Sequence, residues 1–404
     1  MSTPILINQN AGPPIDTQSF EIVERKGTGH PDTICDAIAE SISMQLSKSY
    51  YKTFGHILHH NIDKCMLVAG QVKLNLEKGR VLKPMRLIIG DRATFGVGRK
   101  TIPVADLAVE TAKHWIKSHL RHVNPDTHMR YQIELQPTSV ELGAIFEQGQ
   151  GLLRANDTST GVGYAPLTPT EQLVVDVEHY LNGPQFKRAF PQTGEDVKVM
   201  AVRMDRTLSL TLAMPFLAKQ ISTEKTYFAL KAKALRNVER FIHEQPHACK
   251  RVKIILNALD QPKHSLKGMY LTLLGTSAEQ GDSGQVGRGN RVSGLISFNR
   301  PMSLEAAAGK NPVSHVGKIY NVFCHELARR VHANINGVRD VTIWMTSRIG
   351  QAIDHPLIIS AQVGVKKGSS FKKVSGDVHE LIEAELSNMK EFCDALANGQ
   401  YGVC

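Results

Sequence analysis

Paired cysteines are missing from this chain. Cys35, Cys65, Cys249, Cys324, Cys393 and Cys404 are scattered singly and no CxxC occurs. That spacing argues against a disulfide framework or a zinc knuckle and fits reduced thiols, with Cys35 on a helix read as core. No apolar run reaches the roughly 18 residues that a membrane-spanning helix needs. Met1 to Asn10 also lacks a basic start followed by a signal-like apolar core, so a cytoplasmic location is expected, with no membrane partner. The GxxxxGK[ST] phosphate loop is absent, no pair of glycines completes GxGxxG, and the kinase signatures are missing, which removes the commonest nucleotide-binding arrangements. Low-complexity tracts and short-period repeats are absent as well.

What is present is an ordinary globular composition. The chain has 404 residues, 42% apolar and 21% charged, enough for two or three domains with sizeable cores. A net charge of +10 asks for an anionic partner, which charge alone cannot choose among nucleic acid, membrane surface and small polyanion. The densest basic cluster, Lys366, Lys367, Lys372 and Lys373, has no stacking aromatic beyond Phe371 and reads as a solvated turn, so a nucleic-acid partner is not expected.

The segment Gly275 to Arg291, GTSAEQGDSGQVGRGNR, places five glycines and two arginines in a connector. Glycines bring backbone N–H groups close to a ligand, and Arg288 and Arg291 offer forked cationic donors, so the loop is suited to an anion. Glu279 and Asp282 in the same loop do not suit a pure anion trap. Asp282 is read as contacting a ribose hydroxyl, an ammonium group or a metal. A second constellation is Glu24 to Asp36, ERKGTGHPDTICD. Pro31 suits a first helical turn, which makes His30 the N-cap and puts Asp32 in that turn. Asp32, Asp36 and Glu40 then recur at i, i+4 and i+8, opposite a core face of Ile34, Ala37, Ile38, Ser41, Ile42 and Gln45, so the carboxylates are expected to point away from the core. An imidazole donor and a metal-capable carboxylate beside Gly27 and Gly29 look like parts of a phosphate site.

Weaker signals accompany these. Asp157 is a lone acid in RANDTS, between glycine-bearing stretches. Lys310 sits in the turn Gly309-Lys310-Asn311-Pro312 before a long helix. Lys198, between Val197 and Val199, faces the opposite side of its strand from the two valines, where it could enter a cleft. His56, His59 and His60 lie close together but lack a carboxylate or thiolate pair at ligand spacing, so zinc is not expected. Strand-like runs cover 64–72, 86–89, 131–135, 196–201, 207–213, 269–274, 341–346 and 357–365. Helical patterns cover 33–49, 104–120, 170–181, 223–245, 316–332 and 378–398. Helices following groups of strands indicate α+β layers with sheets covered on one face.

The motifs GTGHPDTICDAIAE, RANDTSTGVGYAP, YLTLLGTSAEQGDSGQVGRGNR and FNRPMSLEAAAGKNPVSHVGKIYN, in this order, resemble the S-adenosylmethionine synthetases (methionine adenosyltransferases) of archaeal type. The resemblance runs over most of the chain. It implies an enzyme that makes S-adenosylmethionine from ATP and L-methionine, releasing triphosphate and cleaving it to diphosphate and phosphate. It implies three similar α+β domains built from interleaved segments: 1–28 with 168–276, 29–138 with 277–317, and 139–167 with 318–404. It also implies a homodimer or dimer of dimers with active sites between subunits, and a gating loop at 136–150 with Gln136 at its start.

By the same resemblance His30 donates to the leaving triphosphate, and Lys198, Arg288 and Lys310 neutralise phosphates. Asp32 binds Mg²⁺, Asp157 receives the methionine ammonium group, and Asp282 lies at the ribose and methionine. Four positions depart from the bacterial and eukaryotic pattern. Gln71 stands where an acid contacts methionine. Arg288-Gly289 replaces an arginine-lysine pair, with Arg291 as the substitute charge. His315 and Lys318 are the nearest basic residues to a missing second lysine. K⁺ is a further cofactor of the family, but its glutamate ligand has no identifiable counterpart here. Two other classes stay open at this stage: another ATP-dependent phosphoryl transferase, and a basic nucleic-acid-binding protein.

Overall fold

The structure, a computed structural model, describes residues 3–138, 154–246 and 249–404. Among the described residues three main sheets, each covered by helices on one face, make up an α+β architecture. The first sheet has five strands in the order Arg251–Leu256, Thr207–Ala213, Lys198–Met204, Phe20–Lys26 and Ile296–Ser297. The second runs Gly284–Gln285, His60–Val68, Met85–Ala93 and Met129–Pro137, and the third Ile5–Gln9, Ile358–Val365, Val338–Thr346 and Thr160–Ala165.

The α-helices among the described residues are α1 (Pro31–Phe54), α2 (Val104–His119), α3 (Pro169–Asn182), α4 (Pro184–Ala189), α5 (Glu224–Glu244), α6 (Val316–Asn334), α7 (Phe371–Ser387) and α8 (Met389–Ala397). Helices α3 and α5 pack on the first sheet, α1 and α2 on the second, and α6 and α7 on the third. None of them is long and apolar enough to cross a membrane. The reason for one-sided covering is visible in the alternation along strands. Along 197–202 the residues Val197, Val199 and Ala201 are fully buried, while Lys198, Met200 and Val202 face the other way and are half-buried.

Most long elements lie where periodicity places them. The differences have physical causes. Thr160–Ala165 is a strand although Gly161 and Gly163 look like turn residues. A Cβ on Gly161 would come within 2.4 Å of the Tyr320 carbonyl carbon, and one on Gly163 within 2.1 Å of the His325 nitrogen, so these glycines let α6 lie directly on the strand. The expected helix 378–398 is two helices, α7 and α8, separated at Asn388. The expected strand 269–274 shrinks to Leu271–Thr272.

Two segments sit in sheets other than those expected from the domain division. Ile5–Gln9 pairs in parallel with Ile358–Val365 in the third sheet, where Ile5 and Ile7 pack against the core. Ile296–Ser297 pairs with Glu24 and Val23 at the edge of the first sheet. Most of the expected gating loop at 136–150 lies outside the described residues; Gln136 itself is exposed in Met129–Pro137.

Candidate active site

Helix α1 organises the site. Pro31 occupies its first turn and His30 is its N-cap, with Nδ1 accepting from the Asp32 N–H at 3.2 Å. Burial holds the imidazole down at about 4, with Lys26 and Lys198 pushing the same way against Asp32. The ring is therefore neutral at pH 7. With Nδ1 accepting, its proton resides on Nε2, which leaves that N–H as a donor.

The three acids on α1 do not face solvent, contrary to the expectation from the helix pattern. Each accepts a backbone N–H from a distant segment: Asp32 Oδ1 from Gln285 at 2.9 Å, Asp36 Oδ1 from Gly287 at 2.8 Å, and Glu40 Oε2 from Gly309 at 2.9 Å. The helix is buried on two sides because the glycine loop lies along the carboxylate face. Glycine is needed at two crossings. A Cβ on Gly284 would meet the Pro31 carbonyl oxygen at 2.1 Å, and one on Gly289 would meet Asp36 Oδ2 at 2.1 Å. Among the described residues Asp36 Oδ2 is buried without a hydrogen-bond partner, and burial pushes this carboxyl up to about 7.

Around the mouth of α1 the first sheet supplies three charges. Lys26 and Lys198 are cross-strand neighbours, and Glu24 stands two residues before Lys26 on the same face. Lys198 Nζ is 3.3 Å from Glu24, and Lys26 Nζ reaches Glu24 at 3.8 Å, Asp32 at 3.0 Å and the Arg288 carbonyl at 2.6 Å. The structure thus gathers His30, Asp32, Lys198 and the Arg288 stretch into one place, and adds Lys26 and Glu24. Arg288 projects an exposed guanidinium with no ion-pair partner among the described residues. Asp282 is exposed, its carboxylate accepting from the Ser283 N–H at 2.9 Å. Asp196, two residues before Lys198, accepts from the Ser277 N–H at 2.7 Å and its hydroxyl at 2.5 Å, tying the strand to the loop. Gln71 is exposed beside the same loop, where Gly70 donates to the Ala278 carbonyl at 2.9 Å.

A second group of charges lies further along α1. Lys310 is buried, paired with Glu305 and 3.7 Å from Asp63. Its ammonium and the Glu305 carboxylate both lie against Gly317 at the start of α6, about 3 Å from where a Cβ would stand. Asp157 is partly buried, and the preceding Asn156 N–H donates to the Ser314 carbonyl at 3.2 Å, which connects the RANDTS turn to the Lys310 segment.

Three candidates are placed differently from the expectation. Lys318 is fully buried, its Nζ 2.8 and 2.6 Å from the two Glu40 oxygens, so it has no free ammonium for substrate; burial also lowers its affinity for the proton. His315 caps α6 by accepting from the Gly317 N–H at 3.2 Å, and burial lowers it to about 3, so it carries no charge for phosphate. Arg291 donates to the Gly287 carbonyl at 2.5 Å and the Gly289 carbonyl at 3.1 Å, which makes it an internal brace of the glycine loop. Glu279 is likewise internal: it accepts from the N–H groups of Leu273 and Leu274. His60 is buried against Ser43, and His59 bonds Thr138.

Lys26, Glu24 and Asp196 carry signals that alternation along the strands could have revealed. Glu305 and Asp63 carried none, because only the tertiary fold brings them to Lys310.

Residues 3–400 match the family model of S-adenosylmethionine synthetase (AdoMet synthetase). The chain belongs to that family. It is 42% identical over 393 residues to a probable S-adenosylmethionine synthase of Aquifex aeolicus, covering 96% of this chain and 97% of that one. It is also 42% identical over 415 residues to the S-adenosylmethionine synthase of Aeropyrum pernix, with both chains covered in full. Among solved structures, an unusual S-adenosylmethionine synthetase from Campylobacter jejuni shares the fold, with a TM-score of 0.60, 17% identity and 95% of each chain covered. The family assignment makes the chain a methionine adenosyltransferase, and the charged groups at α1 are its candidate active site.

Proposed function

We propose that the enzyme joins ATP and L-methionine by direct attack of the methionine sulfur on ribose C5′. The S–C5′ bond forms as the C5′–O bond breaks, the electron pair leaves on the triphosphate, and sulfur becomes a sulfonium without any proton transfer. No general base is required, and the work of the site is to orient two reactants and stabilise the leaving charge. Water then cleaves the triphosphate to diphosphate and phosphate.

In this reading the His30 Nε2–H donates to the leaving oxygen, while Lys198, Arg288 and Lys310 neutralise the polyanion. Asp157 takes the methionine ammonium, Asp282 the ribose and methionine side, and Gln71 and Gln136 lie at the methionine edge. Asp32 fits Mg²⁺ as a single-carboxylate ligand: Oδ1 is committed to the Gln285 N–H, and Oδ2 already faces one cation, Lys26. Magnesium accepts one or two carboxylates when phosphates and water complete its shell, and it supplies charge neutralisation there. What carries the reading is one juxtaposition: a neutral imidazole donor, a carboxylate and two lysines at the mouth of one helix, beside a glycine loop offering the exposed Arg288.

We further propose a cytoplasmic homodimer, or dimer of dimers, with its active sites between subunits. Each sheet exposes apolar residues on its uncovered side, among them Phe20 and Met204, Met66, and Leu6. Incubation with ATP, methionine and Mg²⁺ should yield S-adenosylmethionine, diphosphate and phosphate together. Formation of ADP without a sulfonium product, by folded protein, would instead indicate phosphoryl transfer.

A further inference from the structure

The turn Gly309–Lys310 is held from below by a polar layer of Glu40, Ser43 and Lys318. Gly309 adopts φ +79°, and a Cβ there would lie 2.8 Å from the Ile62 carbonyl oxygen and 3.1 Å from the Ala39 Cβ, so the turn is wedged between α1 and His60–Val68. Its N–H donates to Glu40 Oε2 at 2.9 Å, and the same carboxylate receives the Lys318 ammonium at 2.6 and 2.8 Å. The Lys310 carbonyl accepts from Ser43 at 3.0 Å. Glu40 thus has two tasks: it neutralises a fully buried lysine and it fixes a buried amide one residue before Lys310.

We propose that Glu40, its buried charge neutralised by Lys318, is a positioning residue of the reaction, which sets the Lys310 ammonium against the triphosphate by pinning the Gly309 N–H. This rests on the reading of Lys310 as a phosphate ligand. The argument separates stability from position. A buried ion pair replaced by apolar side chains of similar volume is often neutral or stabilising, whereas breaking it by removing one partner is strongly destabilising. A merely structural pair can therefore be replaced on both sides at once without loss of activity. A pair that positions the turn cannot, because an apolar residue at position 40 leaves the Gly309 N–H without an acceptor. A misplacement of about 1 Å costs on the order of 10- to 100-fold in rate.

The test uses the full-length enzyme and two double variants. Glu40→Leu/Lys318→Met removes both charges and the amide acceptor; Glu40→Gln/Lys318→Met removes both charges but keeps a side-chain carbonyl for the amide. With the methionine KM and the thermal midpoint measured alongside kcat, the first variant should fold and lose on the order of 10-fold or more in kcat, with the methionine KM little changed. The second should exceed the first in kcat by about tenfold. Equal kcat in the two folded variants would overturn the positioning role. If the first variant does not fold, the second alone decides: a kcat as low as that of Lys310→Ala overturns the proposal. Lys310→Ala separates the premises. Full activity there overturns the role of Lys310 and the positioning with it, whereas a large loss there with equal double variants overturns positioning alone.

Discussion

Replacing Gly289 by alanine tests the account of why this chain lacks a lysine after Arg288. An added Cβ would stand 2.1 Å from Asp36 Oδ2 and 3.3 Å from its Cγ, about 1.3 Å short of the 3.4 Å of ordinary contact. Asp36 has little room to yield, since it is 2% exposed and its Oδ1 holds the Gly287 N–H at 2.8 Å. Either that bond breaks or the loop lifts off α1. Overpacking of this kind costs about 1–3 kcal/mol, and the lost hydrogen bond is of similar size. A loss of about 2 kcal/mol in a chemical denaturation series is expected, together with a raised KM for ATP because Arg288 is the adjacent residue. Glycine to lysine should do the same, since the clash is at Cβ. The control is Asp36→Ala, which removes the obstructing oxygen. In that background Gly289→Ala should cost at least about 1 kcal/mol less, a coupling that only contacting residues show. An equal cost in both backgrounds, or a stable Gly289→Ala enzyme with unchanged ATP KM, would refute the reasoning.

Other expectations concern single groups. His30→Ala and Lys198→Ala should each slow S-adenosylmethionine formation by on the order of 10²-fold in single-turnover assays, and near-normal rates would remove that residue from the site. Arg288→Ala should impair triphosphate cleavage more than methionine binding, which separate assays of the two half-reactions decide. Lys187 is held down to about 7 by burial, donating to the Gly194 carbonyl and, at 3.3 Å, to the Thr193 hydroxyl. Its folded value lies below the unfolded value of about 10.4, so the unfolded chain binds the extra proton and stability should rise with pH between about 7 and 10. The slope from this group reaches at most about 1.4 kcal/mol per pH unit, and Lys187→Met should flatten the urea midpoint against pH over that window.

Much of the architecture was legible because long periodic segments are self-declaring. α2, α3, α5 and α6 coincide closely with the expected helical patterns, and Thr207–Ala213 was read to the residue. Pro31 likewise located the start of α1. What stayed hidden were positions where a residue type has two uses. Gly161 and Gly163 are as common in turns as in strands pressed against a helix, and only α6 decides between them. Lys318 and His315 look like free cations in a basic motif, yet one is neutralised by Glu40 and the other kept neutral by burial. Both facts depend on residues more than 270 positions away or on enclosure, neither of which local spacing contains. The same applies to Arg291, whose guanidinium reaches back to its own loop.

The acidic stripe of α1 joins these observations. Asp32 and Asp36 are four residues apart, an advance of about 6 Å along a helix, while Gln285 and Gly287 are two residues apart, about 6.6 Å along an extended chain. The two repeats are commensurate, so a loop running alongside the helix presents an N–H to each carboxylate in turn. Glu40, one helical turn further on, applies the same device to Gly309. One rigid helix thereby registers three elements of the candidate site: His30 at its mouth, Arg288 in the glycine loop and Lys310 beyond it. A one-residue insertion between Gln285 and Gly287 would keep every charged residue and still break that register. For this reason the motifs of the chain function as a set although more than 240 residues separate them along the sequence.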